Sequence, residues 1–528
     1  MKVGMFFLRW SIGFGLSWWM GQLWGLAGLL WFRTSVALLI LGVSLEWLKM
    51  GWQGAGWTNR PVTMARVMRF AKQNPGRLWL GWGKVWGASE LRRQVERGVL
   101  DDAGNQTTSA PFSLGTEQCD HLLVMGAPGS GKTQLFLWLS VQAIQRDEVL
   151  IFVDPKGGDT IPLTLRRAAD QVGKICYVLR VGEPSHSVHL NVLGHVSQAS
   201  ELATRLCRLL PISEQQTIFT QFSWMALYRI VSGLLLLGHP LTFVGIRQHL
   251  LNQGDQLSRE GVVLKGGEHP IVRGLKALAR HDAVHYSKMV LSLMPLLEVL
   301  TSGGVGALLC EDATVPFVTL EQVVERRAVL YVGLGSLQDA QVARILGALV
   351  LGELSSWLGQ RYRGGNHRAA KIQVMVDEAA EISGAAFIQL LNKGREAGLQ
   401  MSLAVQTLAD LEVALQGTAE ARMMVGNAAH LLAFRSLDPE SRRALIERGG
   451  SVRLRARSSG VSIRNSGFFG VRDRSDGVSL QRPWQEWPLL SEQGLSELKP
   501  LEYVGHFSGY GIVRGRISCL KVPRADSS

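Results

Sequence analysis

With 528 residues and 46% hydrophobic side chains, the chain is long enough for two or three folded units around at least one large core. Its formal charge of +13 favours an anionic partner, nucleic acid or a lipid surface, over a basic or neutral one. The five cysteines lie far apart with no CxxC pair, which argues against a disulfide framework or a zinc cluster and for a reducing compartment.

Composition shifts most at the N-terminus. Trp10 to Phe32 carries no charged residue, and a second apolar stretch, Thr34 to Leu45, follows Arg33. The first run is long enough to span a bilayer and too long for a cleaved signal. An Arg at mid-bilayer is costly, so the expected layout of residues 1–50 is a transmembrane hairpin turning near Arg33. The many tryptophans from Trp10 to Trp57 suit headgroup interfaces. Basic residues from Lys49 to Lys84 place the bulk of the chain on the cytoplasmic side of the membrane. Residues 51–117 alternate Gly, Trp and basic side chains without a clear period, and read as a membrane-proximal stem of short elements and loops.

From His121 onward, short apolar runs alternate with helical stretches, the pattern of a mostly parallel sheet covered on both faces. Expected strands are His121 to Met125, Val149 to Asp154, Ile175 to Leu179, Ala328 to Leu334, Ile372 to Asp377, Met401 to Val405 and His430 to Phe434. Between Ser197 and Val299 apolar residues recur at helical spacing instead, giving an all-helical insertion at 196–300. It divides an α/β nucleotide-binding domain into 118–195 and 301–528. Arg442 to Arg474 is dense in Arg, Gly and Ser and reads as surface loops or twisted strands with a solvated positive face.

The strongest local signal is Gly126-Ala127-Pro128-Gly129-Ser130-Gly131-Lys132-Thr133, with a strand before it and a helix starting at Gln134 after it; Gln134 is expected to join the loop in binding the nucleotide. Glycines let backbone N–H groups turn inward around phosphate oxygens, and the helix N-terminus favours the anion. Lys132 is expected to neutralise the outer phosphates of ATP, and Thr133 to ligate Mg2+. A P-loop also needs a carboxylate at a strand end. Lys371 to Glu378 supplies one: Asp377 for the magnesium shell and Glu378 to polarise an attacking water. Asp154-Pro-Lys-Gly-Gly-Asp159 is also an acidic strand end, but reads as a tight turn. Arg395, in a loop, and Gln406, at a strand end, fit a trans-acting arginine finger and a γ-phosphate sensor; a surface charge and a strand-end amide are the plainer alternatives.

In order and spacing, these blocks resemble the type IV coupling proteins of conjugation, of the TraD-like and TraG-like kind carried by integrative conjugative elements. The likeness runs through His189-Leu-Asn191, Arg205 to Pro211, Met289 to Leu297, Leu300 to Gly304, Leu330 to Leu334 with Asp339, and Gly394 to Gln406. It implies a RecA-like P-loop ATPase core with an all-helical insertion and a membrane anchor, assembled as a homo-hexamer at a type IV secretion channel. Such a machine pumps single-stranded DNA delivered by a relaxase within the relaxosome. By the same resemblance Lys132, Glu378, Arg395 and Gln406 carry catalysis, with Asp377 and Thr133 on the metal. A docking receptor that uses nucleotide only as an assembly switch, and a double-stranded DNA pump of the segregation type, are the competing functions.

Overall fold

The computed structural model describes residues 61–89, 91–92, 110–116, 120–210, 217–309, 317–363, 370–382, 384–415, 417–455, 458–463, 476–481 and 484–521. The expected membrane segment at 1–50, and Arg457, lie outside the described residues.

One sheet of eleven strands organises the fold. In chain order these are β1 (Arg77–Val85), β2 (Pro111–Gly115), β3 (Leu122–Met125), β4 (Val149–Asp154), β5 (Cys176–Arg180), β6 (Val329–Gly333), β7 (Ile372–Val376), β8 (Leu399–Val405), β9 (His430–Ala433), β10 (Glu502–Phe507) and β11 (Gly511–Arg516). Their spatial order is β2-β1-β11-β10-β9-β3-β8-β7-β4-β6-β5. From β9 to β5 every pairing is parallel, and from β9 to β2 every pairing is antiparallel.

The parallel half contains all seven strands expected from sequence, because it is apolar on both faces. Every residue of β3, β4, β6 and β7 is buried. Alternate residues feed two cores: Leu123, Met125, Ile151 and Val153 face one way, and Leu122, Val124, Leu150 and Phe152 the other. The second face is covered by α1 (Met64–Gln73), α2 (Lys132–Gln145) and α3 (Thr160–Asp170). Helix α2 is buried on nearly every side, so it shows no polar stripe.

On the first face, the described elements between Ala199 and Leu309 are all helical: α4 (Ala199–Cys207), α5 (Thr217–Leu237), α6 (Phe243–Leu251), α7 (Asp255–Lys265), α8 (Pro270–Ala279), α9 (Ala283–Val290), α10 (Met294–Thr301) and α11 (Gly303–Leu309), with one 3-10 turn. After α12 (Leu320–Glu325), the long α13 (Ala340–Arg363) lies against the sheet. It is apolar enough to cross a membrane, but that surface is mostly buried in the core.

Two segments differ from expectation. Within the stretch expected to be a stem, residues 61–89 and 110–116 supply α1 and two strands of the main sheet. The Gly and Trp alternation is a bulged strand, with its register shifted between Trp79 and Trp82. At Gly81, φ is +92° and a Cβ would lie 2.2 Å from the Arg516 carbonyl oxygen, so only glycine lets β1 approach β11 this closely. Trp79, Trp82, Trp138 and Phe70 form an aromatic cluster beneath it, and the Gln142 amide exchanges hydrogen bonds with the Trp79 backbone at 2.8 and 2.9 Å. The second difference lies at Arg442, Arg443 and Arg448. They sit on a helix, Pro439–Gly449, rather than on loops or strands, because Asp438 caps its N-terminus through the Ser441 N–H and Pro439 opens its first turn. Beyond it, Ser451–Arg455 pairs with Trp484–Pro488 and Ser458–Ile463 with Asp476–Gln481.

Candidate functional site

The parallel strands all point their C-terminal ends the same way, so the loops leaving β3, β4, β7 and β8 share one edge of the sheet. The loop after β3 is fixed by its neighbours: Gly126 N–H donates to Val405 O, and Ala127 N–H to Arg435 O at 2.9 Å. A Cβ on Gly126 would lie 2.7 Å from Ser130 Oγ and 2.9 Å from Phe434 Cβ, so the turn closes only around glycine. Gly129 and Gly131 hold φ of +70° and +128°.

Helix α2 begins at Lys132, capped by Gly131 with no side-chain acceptor and no acidic residue in its first turn. Its first N–H groups therefore face the loop without an intrahelical partner, an arrangement suited to phosphate. The Ser130 hydroxyl is buried in the same loop without a hydrogen-bond partner. Lys132 Nζ folds back onto Gly126 O at 2.7 Å. Burial lowers its proton affinity, against the pull of Glu378 and Asp377.

Thr133 Oγ1 donates to Asp377 Oδ2 at 2.6 Å, joining the loop to the end of β7. Burial pushes the Asp377 carboxyl above its ordinary pKa, opposed by the Thr133 hydrogen bond. A divalent cation would reverse that balance. One hydroxyl and one carboxylate are the usual protein share of a magnesium shell completed by phosphate and water. The residues therefore fit a Mg-nucleotide.

Glu378 follows in a left-handed conformation, φ +46°, unusual for a residue with a side chain. Its carboxylate is held on both oxygens: Gln406 Nε2 donates to Oε2 at 3.0 Å and Lys156 Nζ to Oε1 at 2.8 Å. Burial alone would raise its pKa, but these two donors and the Lys132 charge bring it below the usual value, so the group is ionised. A cleft of about 850 Å3 opens beside it, lined by Gln341, Arg344, Glu381, Gln406 and Asp410.

The structure thus brings Gly126 to Thr133, Asp377, Glu378 and Gln406 together. It directs two expected site residues elsewhere. The Gln134 side chain turns away from the phosphate loop and accepts from Leu520 N–H at 3.1 Å. Arg395 precedes β8 where Gln406 follows it, so the two lie at opposite edges of the sheet, a strand length of roughly 20 Å apart. Arg395 is half-exposed and pairs with Asp120 Oδ1 at 3.1 Å, and His430 Nε2 lies 3.7 Å from the other Asp120 oxygen. Within its own chain, Arg395 does not reach the phosphate loop. One site residue is new. Lys156, in the turn read from sequence as merely tight, contacts the base candidate directly.

Residues 371–500 match the family described as the TraM recognition site of TraD and TraG. This span contains Asp377, Glu378, Arg395 and Gln406. Over this span the chain is similar to TraD and TraG. Solved structures show a similar fold. The bacterial conjugative coupling protein TrwBdeltaN70 superposes on this chain with a TM-score of 0.54 at 16% identity, covering 88% of this chain and 92% of that one. TrwB in complex with a non-hydrolysable ATP analogue gives 0.54 at 15%, covering 88% and 95%, and TrwB with ADP and Mg2+ gives 0.53 at 15%, covering 88% and 95%. No curated protein matches the chain by sequence.

Proposed function

We propose that the chain hydrolyses ATP with Mg2+ to drive single-stranded DNA from the relaxosome into a type IV secretion channel. The convergence of Lys132, the Thr133–Asp377 contact at 2.6 Å and an ionised Glu378 at one sheet edge carries this reading. A passive switch needs only the first two features. Glu378, anchored by two donors, has the chemistry of a base that accepts a proton from an attacking water. Lys132 would bind the outer phosphates, and Thr133 and Asp377 would hold a magnesium ion, which would supply charge compensation for the leaving diphosphate. Gln406, hydrogen-bonded to the base and located at the end of β8 beside the phosphate loop, links occupancy of the site to the chain that follows. Arg395, out of reach in its own chain, is assigned to a neighbouring subunit's site in a homo-hexamer anchored in the inner membrane.

The test is ATP turnover by the full-length protein with single-stranded, double-stranded and no DNA, together with conjugative transfer by a Lys132→Ala variant. Stimulation by single strands and loss of transfer are expected. Full transfer by that variant would sink the motor reading in favour of a docking receptor, and stronger stimulation by duplex would favour a double-stranded DNA pump.

A further inference from the structure

The turn after β4 is built with more care than a connection requires. Asp154 Oδ1 accepts the Lys156 N–H at 3.0 Å, setting the direction in which the Lys156 stem leaves the backbone. The other Asp154 oxygen accepts the buried Tyr331 hydroxyl at 2.8 Å, and Tyr331 also reaches Gly158 O at 3.3 Å. Pro155 O accepts from Ser336 N–H at 2.7 Å, and Asp154 O from Leu334 N–H at 2.9 Å. Gly157 adopts φ +72°, and a Cβ there would meet the Gly335 backbone at 3.1 Å. The loop after β6 thus braces the turn from the side opposite β7.

What the braced turn presents is one cation. Lys156 Nζ lies 2.8 Å from Glu378 Oε1, with its side chain 48% exposed and that of Glu378 9%. Strands β8, β7 and β4 are consecutive in the sheet, and their ends contribute Gln406, Glu378 and Lys156 in that order. The carboxylate is gripped from both neighbouring strands, one oxygen by each. A Glu with φ +46° has few backbone-compatible rotamers, and two donors on opposite sides select one.

We propose that Lys156 is a positioning residue for Glu378, holding the carboxylate in the plane and orientation from which it addresses the attacking water. This rests on the reading of Glu378 as the base. It makes Lys156 a second lysine of the site, acting through the carboxylate and not through phosphate. Both oxygens keep a free lone pair for a water while these contacts persist.

The experiment measures steady-state ATP turnover and equilibrium binding of ADP and of a non-hydrolysable ATP analogue. It uses the full-length protein and its Lys156→Met, Lys156→Arg, Glu378→Gln and Lys156→Met/Glu378→Gln variants. Lys156→Met is expected to lower kcat at least tenfold while KM and both affinities stay within twofold, and Lys156→Arg to recover most of the loss. In the Glu378→Gln background, Lys156→Met should change nothing further, because the group it positions is gone. Unchanged kcat in Lys156→Met, weakened binding of either nucleotide, no recovery by Arg, or an equal additional loss in the double variant would each overturn the assignment. If Glu378→Gln itself turns over at the wild-type rate, the reading of the base fails, which a result on Lys156 alone cannot mimic.

Discussion

The two edges of the parallel sheet are made by the same strands and do opposite things with charge. At the C-terminal edge, Lys132, Asp377, Glu378 and Lys156 are drawn together by hydrogen bonds of 2.6 to 2.8 Å, with the base candidate in a left-handed backbone. At the N-terminal edge, a buried Asp120 holds a half-exposed Arg395 outward, and buried histidines line the wall behind it. One edge gathers the candidate site; the other carries an arginine paired with a buried carboxylate. Loop chemistry at strand ends, more than strand sequence, creates the difference.

The largest expected effects test that division. If Arg395 serves a neighbour's site, Arg395→Ala should cut turnover by about 10^3-fold in the assembled protein and leave nucleotide binding unaltered. Mixing it with Lys132→Ala protomers should restore part of the activity, since each then supplies what the other lacks. An equal loss in isolated protomers would erase the contrast between the edges. Glu378→Gln should lower kcat by about 10^2-fold with ATP still bound, wherever the assembly equilibrium lies. Retained turnover would leave the C-terminal edge a binding site only.

The N-terminal edge also makes a smaller, pH-dependent prediction. His121 is buried, with Nε2 bonded to Leu391 O and Nδ1 accepting from Met401 N–H, each at 3.0 Å, and burial lowers its pKa from 6.5 to about 4. The unfolded chain therefore binds the proton first. The neutral ring's contribution is whole above pH 6.5 and is lost as pH falls towards 4, in total about 3 kcal/mol. Denaturant midpoints followed across this range should flatten in His121→Gln, and parallel curves for the two proteins would refute the account. Smallest is Gly81→Ala, expected to cost about 2 kcal/mol by the same measurement, from a strained φ and contact with the Arg516 carbonyl.

The parallel half was legible because burial on both faces leaves continuous apolar runs, and Val149–Asp154 ends where the sequence says it does. The antiparallel half was not. β1 is paired with β11, more than 400 positions away, and its bulge and glycines destroy the alternation that would mark a half-buried strand. The helix beginning at Pro439 carries its own signal in Asp438-Pro439, but the Arg, Gly and Ser density that follows matches loops or twisted strands equally well. Gly126 to Thr133, Asp377 and Glu378 were readable since each carries its chemistry in adjacent residues. Lys156 was not, because its role depends on β4 lying beside β7, and strand order is not a local property of sequence.

The seam between the first and last described strands gives the fold a mechanical character. Val62 and Thr63 pair in parallel with Leu520 and Lys521, and the Leu520 N–H is held by Gln134, two residues past Lys132 on the same helix. A load on the chain at either residue 61 or residue 521 is shared through this seam. Gln134 lies in the load path, so tension there tugs on the first turn of the helix whose N-terminus forms the phosphate cradle.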